Sequence, residues 1–430
     1  NIEADSIAGG IFAVNAGTVS KSTALGTIDA KTTKATAVGG AIGWNYSSGH
    51  VDGVGSFVNL SGERNVGGLV GVNKWHGEVV HSFATGTVRG LLEMPWAVAG
   101  FVAENEGFIR QSYSTGDVYN GIAFAASNSS SIEDCYSTSN VYESAGWKGS
   151  AAFANASGKN ALVRGYATGR AYRADGTSYC VQQNTRGSND EGFYFINEGC
   201  YNYIGVGLKE EDMRKQESFA LFDFDSVWTI KEGKSYPKLR GVTNVPVAGN
   251  AVLDLKDNKS LTKLVQQEMD DAVIDMDNGS DKVLVMEPAS EKLLDSLAKA
   301  KSVSGKFDLI YRVGIKVGND TLWGNSGHVE LRINYQEEQR IETAAVHGRS
   351  FAVSVQENAV ALRFEVSAPG AVKFALLDMQ GRLVKFADFG NRAAGAYFET
   401  VSTGAVPPGR YIGVLQVNGG VAKRSELVIR

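Results

Sequence analysis

The chain has 430 residues, too many for one small core and enough for two to four domains. With 43% hydrophobic residues, 51 glycines and only 7 prolines it is neither collagen-like nor a long disordered tail, and the glycines suit many tight turns between strands. A net charge of −5 lacks the basic footprint that nucleic acid or an anionic lipid surface needs, and no apolar run reaches the ~18 residues of a membrane span. The opening residues do not read as a signal peptide, so the expectation is a mature protein or an excised fragment.

Self-similarity begins at once. Gly9-Gly10-Ile11-Phe12-Ala13-Val14-Asn15 returns as Gly39-Gly40-Ala41-Ile42-Gly43-Trp44-Asn45 and as Gly67-Gly68-Leu69-Val70-Gly71-Val72-Asn73. The asparagine recurs at Asn105, Asn128, Asn155 and Asn184, which makes seven coils with 23 to 32 residues between successive asparagines. A second block follows each one: Ser82-Phe83-Ala84-Thr85-Gly86-Thr87-Val88, Ser112-Tyr113-Ser114-Thr115-Gly116-Asp117-Val118, Cys135-Tyr136-Ser137-Thr138-Ser139-Asn140-Val141, and Gly165-Tyr166-Ala167-Thr168-Gly169.

A unit this short cannot bury its own apolar face, so the coils must stack, each strand pairing in parallel with its equivalent in the next. The fold class expected is all-β dominated: a parallel β-solenoid (β-helix) over 1–241, roughly 30 to 35 Å long at ~4.8 Å per coil. Asn15, Asn45, Asn73, Asn105, Asn128, Asn155 and Asn184 are then a structural ladder, their amides bonded along the stack and to turn backbone. The triplets that begin at Asn45, Asn128 and Asn155 look like glycan acceptors but belong to this ladder. Cys135 falls in a row with Ser82, Ser112 and Gly165, where a buried, inert thiol is expected. Cys180 and Cys200 are a candidate disulfide pair where the repeats end.

The pattern Gly-Gly-Leu-Val-Gly-x-Asn, followed by Ser-Tyr/Phe-Ala-Thr-Gly-x-Val, resembles the GLUG-motif repeats of bacterial surface proteins, adhesins and some secreted proteases. The resemblance covers about residues 7 to 240 and includes Phe222-Asp223-Phe224-Asp225-Ser226-Val227-Trp228 and Tyr236-Pro237-Lys238-Leu239, a stretch that commonly closes such arrays. Coils two, five and seven depart from it, with Ile122-Ala123 where two glycines are expected. Residues 208–240 read as a cap over exposed strand edges. The first coil has no such cover, so either coils are missing upstream or that end docks onto something, self-association being one form of this.

Val242 to Asn250 reads as a linker. Residues 251–345 carry two helical patterns, with Ser260 and Ser290 as N-cap candidates, and strand-like runs at 282–286 and 309–317, hence a small α+β or β-rich domain. Residues 349–430 alternate apolar and polar between turn signals and read as a β-sandwich. There, Leu376-Leu377-Asp378-Met379-Gln380-Gly381-Arg382-Leu383-Val384, Pro408-Gly409-Arg410-Tyr411 and the ending Lys423-Arg424-Ser425-Glu426-Leu427-Val428-Ile429-Arg430 resemble the C-terminal sorting domains of type IX secretion substrates. That resemblance implies export to the cell surface or the medium.

No catalytic, cofactor or metal residues are assigned. Arg110 beside Glu133 and Asp134 beside Arg164 read as opposite-charge neighbours on a sheet face, and no row sets two carboxylates on adjacent coils. His50, His76, His81, His328 and His347 match no zinc spacing, and Asp275-Met276-Asp277-Asn278-Gly279 reads as a β-turn, not a calcium loop. Tyr119, Tyr142 and Tyr172 follow inward residues and should point outward. Stacked there, they are either a sugar-binding platform bordered by Trp75, Trp96 and Trp147 or a ladder that stabilises the strands. The row Phe83, Tyr113, Tyr136 and Tyr166 is expected in the core. The function expected is a non-catalytic extracellular adhesin or scaffold that faces polysaccharide or a surface protein. Alternatives are a secreted polysaccharide lyase or glycoside hydrolase on the β-helix, and a fibre subunit.

Overall fold

The structure, a computed structural model, describes residues 2–3, 6–30, 36–91, 98–144, 153–156, 161–172, 178–179, 191–196, 205–276, 281–300, 302–336, 351–356, 358–366 and 368–429. It is all-β, with a parallel β-solenoid of about 5 turns followed by smaller β-rich domains. Residues Asn1–Gln336 form one compact unit and Glu337–Arg430 a second.

Each regular coil has an entry strand such as Ala37–Gly39, an asparagine strand such as Ile42–Asn45, a short strand such as His50–Asp52 and a long strand such as Gly55–Gly62. Asparagine strands stack six deep in parallel, and the short and long strands share a 19-stranded sheet. The register is set by the repeat, since Asn73 lies opposite both Asn45 and Asn105. Inward positions carry branched apolar residues on every coil, including Val51, Val79, Ile109 and Ile132, all buried. Phe101, Phe124 and Phe153 form a second lumenal column, their rings nearly parallel with centroids 4.5 and 4.8 Å apart. That column continues the position that Leu69 holds in the Gly-Gly-Leu-Val-Gly run.

Between short and long strands each coil turns through one left-handed residue: Lys21, Gly53, His81, Gln111, Asp134 and Arg164. That conformation costs roughly 1 to 2 kcal/mol for a non-glycine residue. Stacking holds it, since the N–H of Gly53 reaches Val80 O at 3.1 Å and that of Gln111 reaches Glu133 O at 3.0 Å. The next position must be small. Ser82 Oγ donates to Val80 O (2.7 Å) and accepts from Val54 N, Ser112 repeats the pattern, and Cys135 Sγ takes the same place toward Glu133 O at 3.1 Å. Burial pushes the Cys135 thiol well up, so it is inert packing. Gly68 marks another close approach, because a Cβ there would lie 1.9 Å from Gly100 O.

Along the asparagine corner, Asn15 Nδ2 donates to Asn45 Oδ1, Asn45 to Asn73, Asn73 to Asn105 and Asn105 to Asn128, at 2.7 to 2.8 Å. The second amide hydrogen goes to turn backbone, as from Asn73 to Gly77 O. Among the described residues the ladder is followed as far as Asn128. A register shift sets Asn128 opposite Ala156, so Asn155 falls one residue out of line. Asn184, the seventh expected rung, lies outside the described residues.

The cap expectation is corrected in position. Residues 208–247 run along the flank of the solenoid, where Phe219, Phe222, Trp228, Tyr236 and Leu239 pack on Phe83, Tyr113, Tyr136, Tyr166 and Tyr194. That aromatic row is buried as expected, but outside the solenoid lumen, because alternation turns Ala84 inward and Phe83 outward. Its hydroxyls are tied down by Tyr136 to Asn244 Oδ1 (2.9 Å), Tyr166 to Pro237 O (2.6 Å) and Tyr113 to Thr243 O.

Residues 242–250 are likewise a packed seam, not a linker. Val245, Val247 and Ala248 are buried, and Val247–Ala248 pairs with Val273–Ile274. Beyond it, helices α1 (Leu261–Ala272) and α2 (Pro288–Lys299) pack on a four-stranded sheet ordered Ala251–Leu255, Asp320–Gln336, Ser302–Val317, Lys282–Met286. Ser260 stands at the N-cap position of α1 as expected, whereas Ser290 does not cap α2. Ser260 is left-handed and makes no side-chain cap, and Ser290 lies inside α2, where its Oγ accepts from Ile310 N. Pro288 at the first position starts α2 instead, its missing N–H being one no helix needs there.

In the second unit, a three-stranded sheet (Ala352–Gln356, Ala359–Val366, Gly395–Ser402) faces a four-stranded one (Leu383–Arg392, Gly370–Asp378, Gly409–Val417, Gly420–Ile429). Phe364, Phe374, Leu415 and Leu427 fill the space between them. All pairings are antiparallel.

Asn73→Ala removes three buried hydrogen bonds, from Asn45 Nδ2, to Asn105 Oδ1 and to Gly77 O, and should cost about 3 kcal/mol in urea unfolding. Asn155→Ala should cost less than about 1 kcal/mol. Equal losses would show that the corner amides do not act as a ladder.

Candidate functional site

The outer face of the long strands is a grid whose rows run along the solenoid axis. Register puts Thr27 beside Asn59 and Asp29 beside Ser61, Arg89, Tyr119, Tyr142 and Tyr172 in turn. Thr87, Asp117, Asn140 and Arg170 precede the last four in sequence by two and continue the Thr27 row. The grid changes character between the third and fourth coils, from small polar residues to tyrosines.

Over the later coils the face is covered by the seam and by the strand Asp320–Gln336. The Tyr119, Tyr142 and Tyr172 rings do stack, 4.9 and 5.1 Å apart. Yet His328 lies on Tyr172 at 4.2 Å, Tyr142 Oη is 3.0 Å from His328 Nε2, and Asn250 Nδ2 donates to Tyr172 Oη. The expectation of an open tyrosine platform is therefore corrected: the rings point outward, as alternation requires, but at Tyr142 and Tyr172 they meet protein. Asp308 accepts from His328 Nδ1 at 2.7 Å, which leaves Nε2 as the acceptor for the Tyr142 hydroxyl. Asn140 donates to Ser326 O at 2.6 Å, and Asp117 accepts from Ser326 N and Oγ. Phe57 closes this junction against Val245, Ile315 and Leu322.

Over the first three coils no described residue covers the same face. It forms a trough of about 530 Å³ lined by Ile2, Thr27, Asp29, Asn59, Ser61, Thr87 and Arg89, together with Ile28 and Leu60. Its floor is ordered. Ser61 Oγ donates to Asp29 at 2.7 Å, and Asn59 Oδ1 accepts from Thr87 N at 2.9 Å, which fixes the amide with its Nδ2 donors free of that bond. The Arg89 guanidinium lies 3.7 Å from the Tyr119 ring centroid, a cation–π contact that holds it at the trough's end. Sequence reasoning missed this site because it sought aromatics, and the signal it passed over was the polar run Asp29, Ser61, Arg89.

Other candidate residues lie elsewhere. Trp75 is 68% exposed at a turn, stacked on His76. Trp96, Trp147, Cys180, Cys200 and His347 lie outside the described residues. Arg110 sits 3.8 Å from both Glu78 and Glu133, and Arg164 bonds Asp134 through two nitrogens at 2.9 and 3.0 Å. Trp228 Nε1 also donates to Asp134, so this pair anchors the flank segment. His50 pairs with Glu78 and His81 with Asp52. Asp275 lies within reach of Lys231 and Lys282, while 277–280 are outside the described residues. Among the described residues no group of three or more metal-ligating side chains converges, and no helix is long and apolar enough to cross a membrane. No family model matches the chain, and no curated protein matches it.

Burial raises the Tyr113, Tyr136, Tyr142, Tyr166 and Tyr172 hydroxyls above their ordinary value. A raised folded-state pKa means stability fully present below the unfolded value of about 10, and lost as pH rises through the folded one. Unfolding of the first unit should therefore become easier above about pH 10, with tyrosinate absorbance appearing together with unfolding. Titration of these tyrosines near pH 10 in a folded protein would contradict the packing described.

Proposed function

We propose that the chain is a non-catalytic scaffold of the cell exterior whose solenoid presents the open trough to polysaccharide. The observation that carries this reading is the trough itself: fixed hydroxyl, amide and guanidinium groups at regular spacing, on a rigid sheet, in a concavity of ligand-binding size. Such groups match the hydroxyls of a sugar chain. The resemblance of the coils to GLUG-motif surface proteins, and of residues 349–430 to type IX sorting domains, supports an adhesive, exported protein.

The competing enzyme reading requires two converging acids: Asp29 is the one carboxylate among the described residues that line the trough, although the register sets Glu3 beside it, so that one row does carry two carboxylates on adjacent coils. The Tyr142, His328 and Asp308 chain has the residue types of a proton relay. Burial, however, pushes Tyr142 up, opposite to what a tyrosine base needs, and its hydroxyl is engaged in the junction.

The test is a pull-down on insoluble xylan, cellulose and pectin, with assays for new reducing ends and unsaturated products. The double variant Asn59→Ala/Thr87→Ala should lose at least tenfold in binding, while Tyr172→Phe, in the covered half, should bind normally. Released product at any of the three polymers would overturn the non-catalytic reading.

A further inference from the structure

Several cations of the solenoid are paired with carboxylates. Arg110 and Arg164 each meet carboxylates, and Lys74 meets Glu106 at 3.2 Å. Arg89 differs. It is exposed, and among the described residues it has no ion-pair partner, while the Tyr119 ring beneath holds its guanidinium plane in place. The nearby acids are engaged elsewhere: Asp29 takes the Ser61 hydroxyl, and Asp117 takes Ser326. A guanidinium held over an aromatic ring and hydrogen-bonded to that ring's hydroxyl, with no carboxylate partner among the described residues, can receive an anion on its remaining N–H groups.

The groups around it select which anion. Thr87 and Asn59 in the adjoining row, and Ser61 one coil away, offer hydroxyl and amide contacts suited to a polyol, and the trough extends along the solenoid axis for three coils. Resting on the polysaccharide-binding reading above, we infer that the ligand is an acidic sugar chain, with a uronate carboxylate on Arg89 and neighbouring ring hydroxyls over Asn59 and Thr87. Tyr119 is a positioning residue. It sets the guanidinium and also marks where the middle sheet begins to cover the face, so the carboxylate site sits at the closed end of the trough.

The experiment is affinity electrophoresis of the full chain through polygalacturonate, through the same polymer fully methyl-esterified, and through neutral xylan. The unmodified chain should bind the acid polymer at least tenfold tighter than the ester, and the preference should shrink as salt is raised. Arg89→Gln should erase that preference, so that the acid polymer and the ester bind equally. Arg89→Lys, which keeps the charge but loses the fork, should retain only part of it, and Asn59→Ala should weaken acid and ester binding alike. Equal binding to acid and ester, or a preference that survives Arg89→Gln in a variant with unchanged thermal unfolding, would overturn the uronate inference and leave polysaccharide binding standing. Retardation by none of the three polymers would overturn both.

Discussion

Parallel in-register stacking requires every position of a coil to tolerate its counterpart about 4.8 Å above and below. The repeat follows from that constraint. An asparagine is acceptable at a buried corner because the next asparagine accepts its amide hydrogen, and four consecutive transfers run from Asn15 to Asn128 in one direction. The register slips by one at Ala156, beyond the last of these described transfers. Left-handed residues at the second corner are held in the same way, by N–H groups shared between coils.

Stacking also turns the surface into rows, and rows have a single composition only where their surroundings are uniform. The outer face of the long strands shows this. Phe83, Tyr113, Tyr136 and Tyr166 form a continuous aromatic column because the flank segment lies over it for its whole length. The neighbouring row switches from Asp29, Ser61 and Arg89 to Tyr119, Tyr142 and Tyr172 where the sheet of residues 251–336 begins to cover it. Stacked tyrosines bury large area and satisfy their hydroxyls at single points, which suits a covered face. Small polar groups suit one that meets water or a ligand. Arg89 stands at the boundary, supported by the first tyrosine of the covered half.

The flank segment and the seam give the solenoid a lateral core of its own. Trp228, buried among Tyr136, Tyr166 and Phe222, bonds Asp134 at a left-handed corner already gripped by Arg164. One carboxylate therefore joins the coil geometry, the charge pairs of the short strands and the closing segment. An aspartate with these three duties has an evident reason to sit at a backbone position that favours glycine.

The sequence by itself determined the coil period, the parallel stacking, the asparagine ladder as far as Asn128, the outward direction of the tyrosines and the sandwich pattern of the last 80 or so residues, because each depends on local periodicity and turn chemistry. It left undecided which outward rows stay open. Tyr119, Tyr142 and Tyr172 have the same alternation whether they face a sugar or His328, and Val242 to Asn250 has the composition of a spacer although it is the packed seam between two sheets. Only the tertiary structure placed residues 208–336 against the flank, since contacts such as Asn140 with Ser326 join positions 186 residues apart and leave no periodic trace in the chain. That placement covered the face at Tyr142 and Tyr172, while no described residue covers the trough between Asp29 and Arg89.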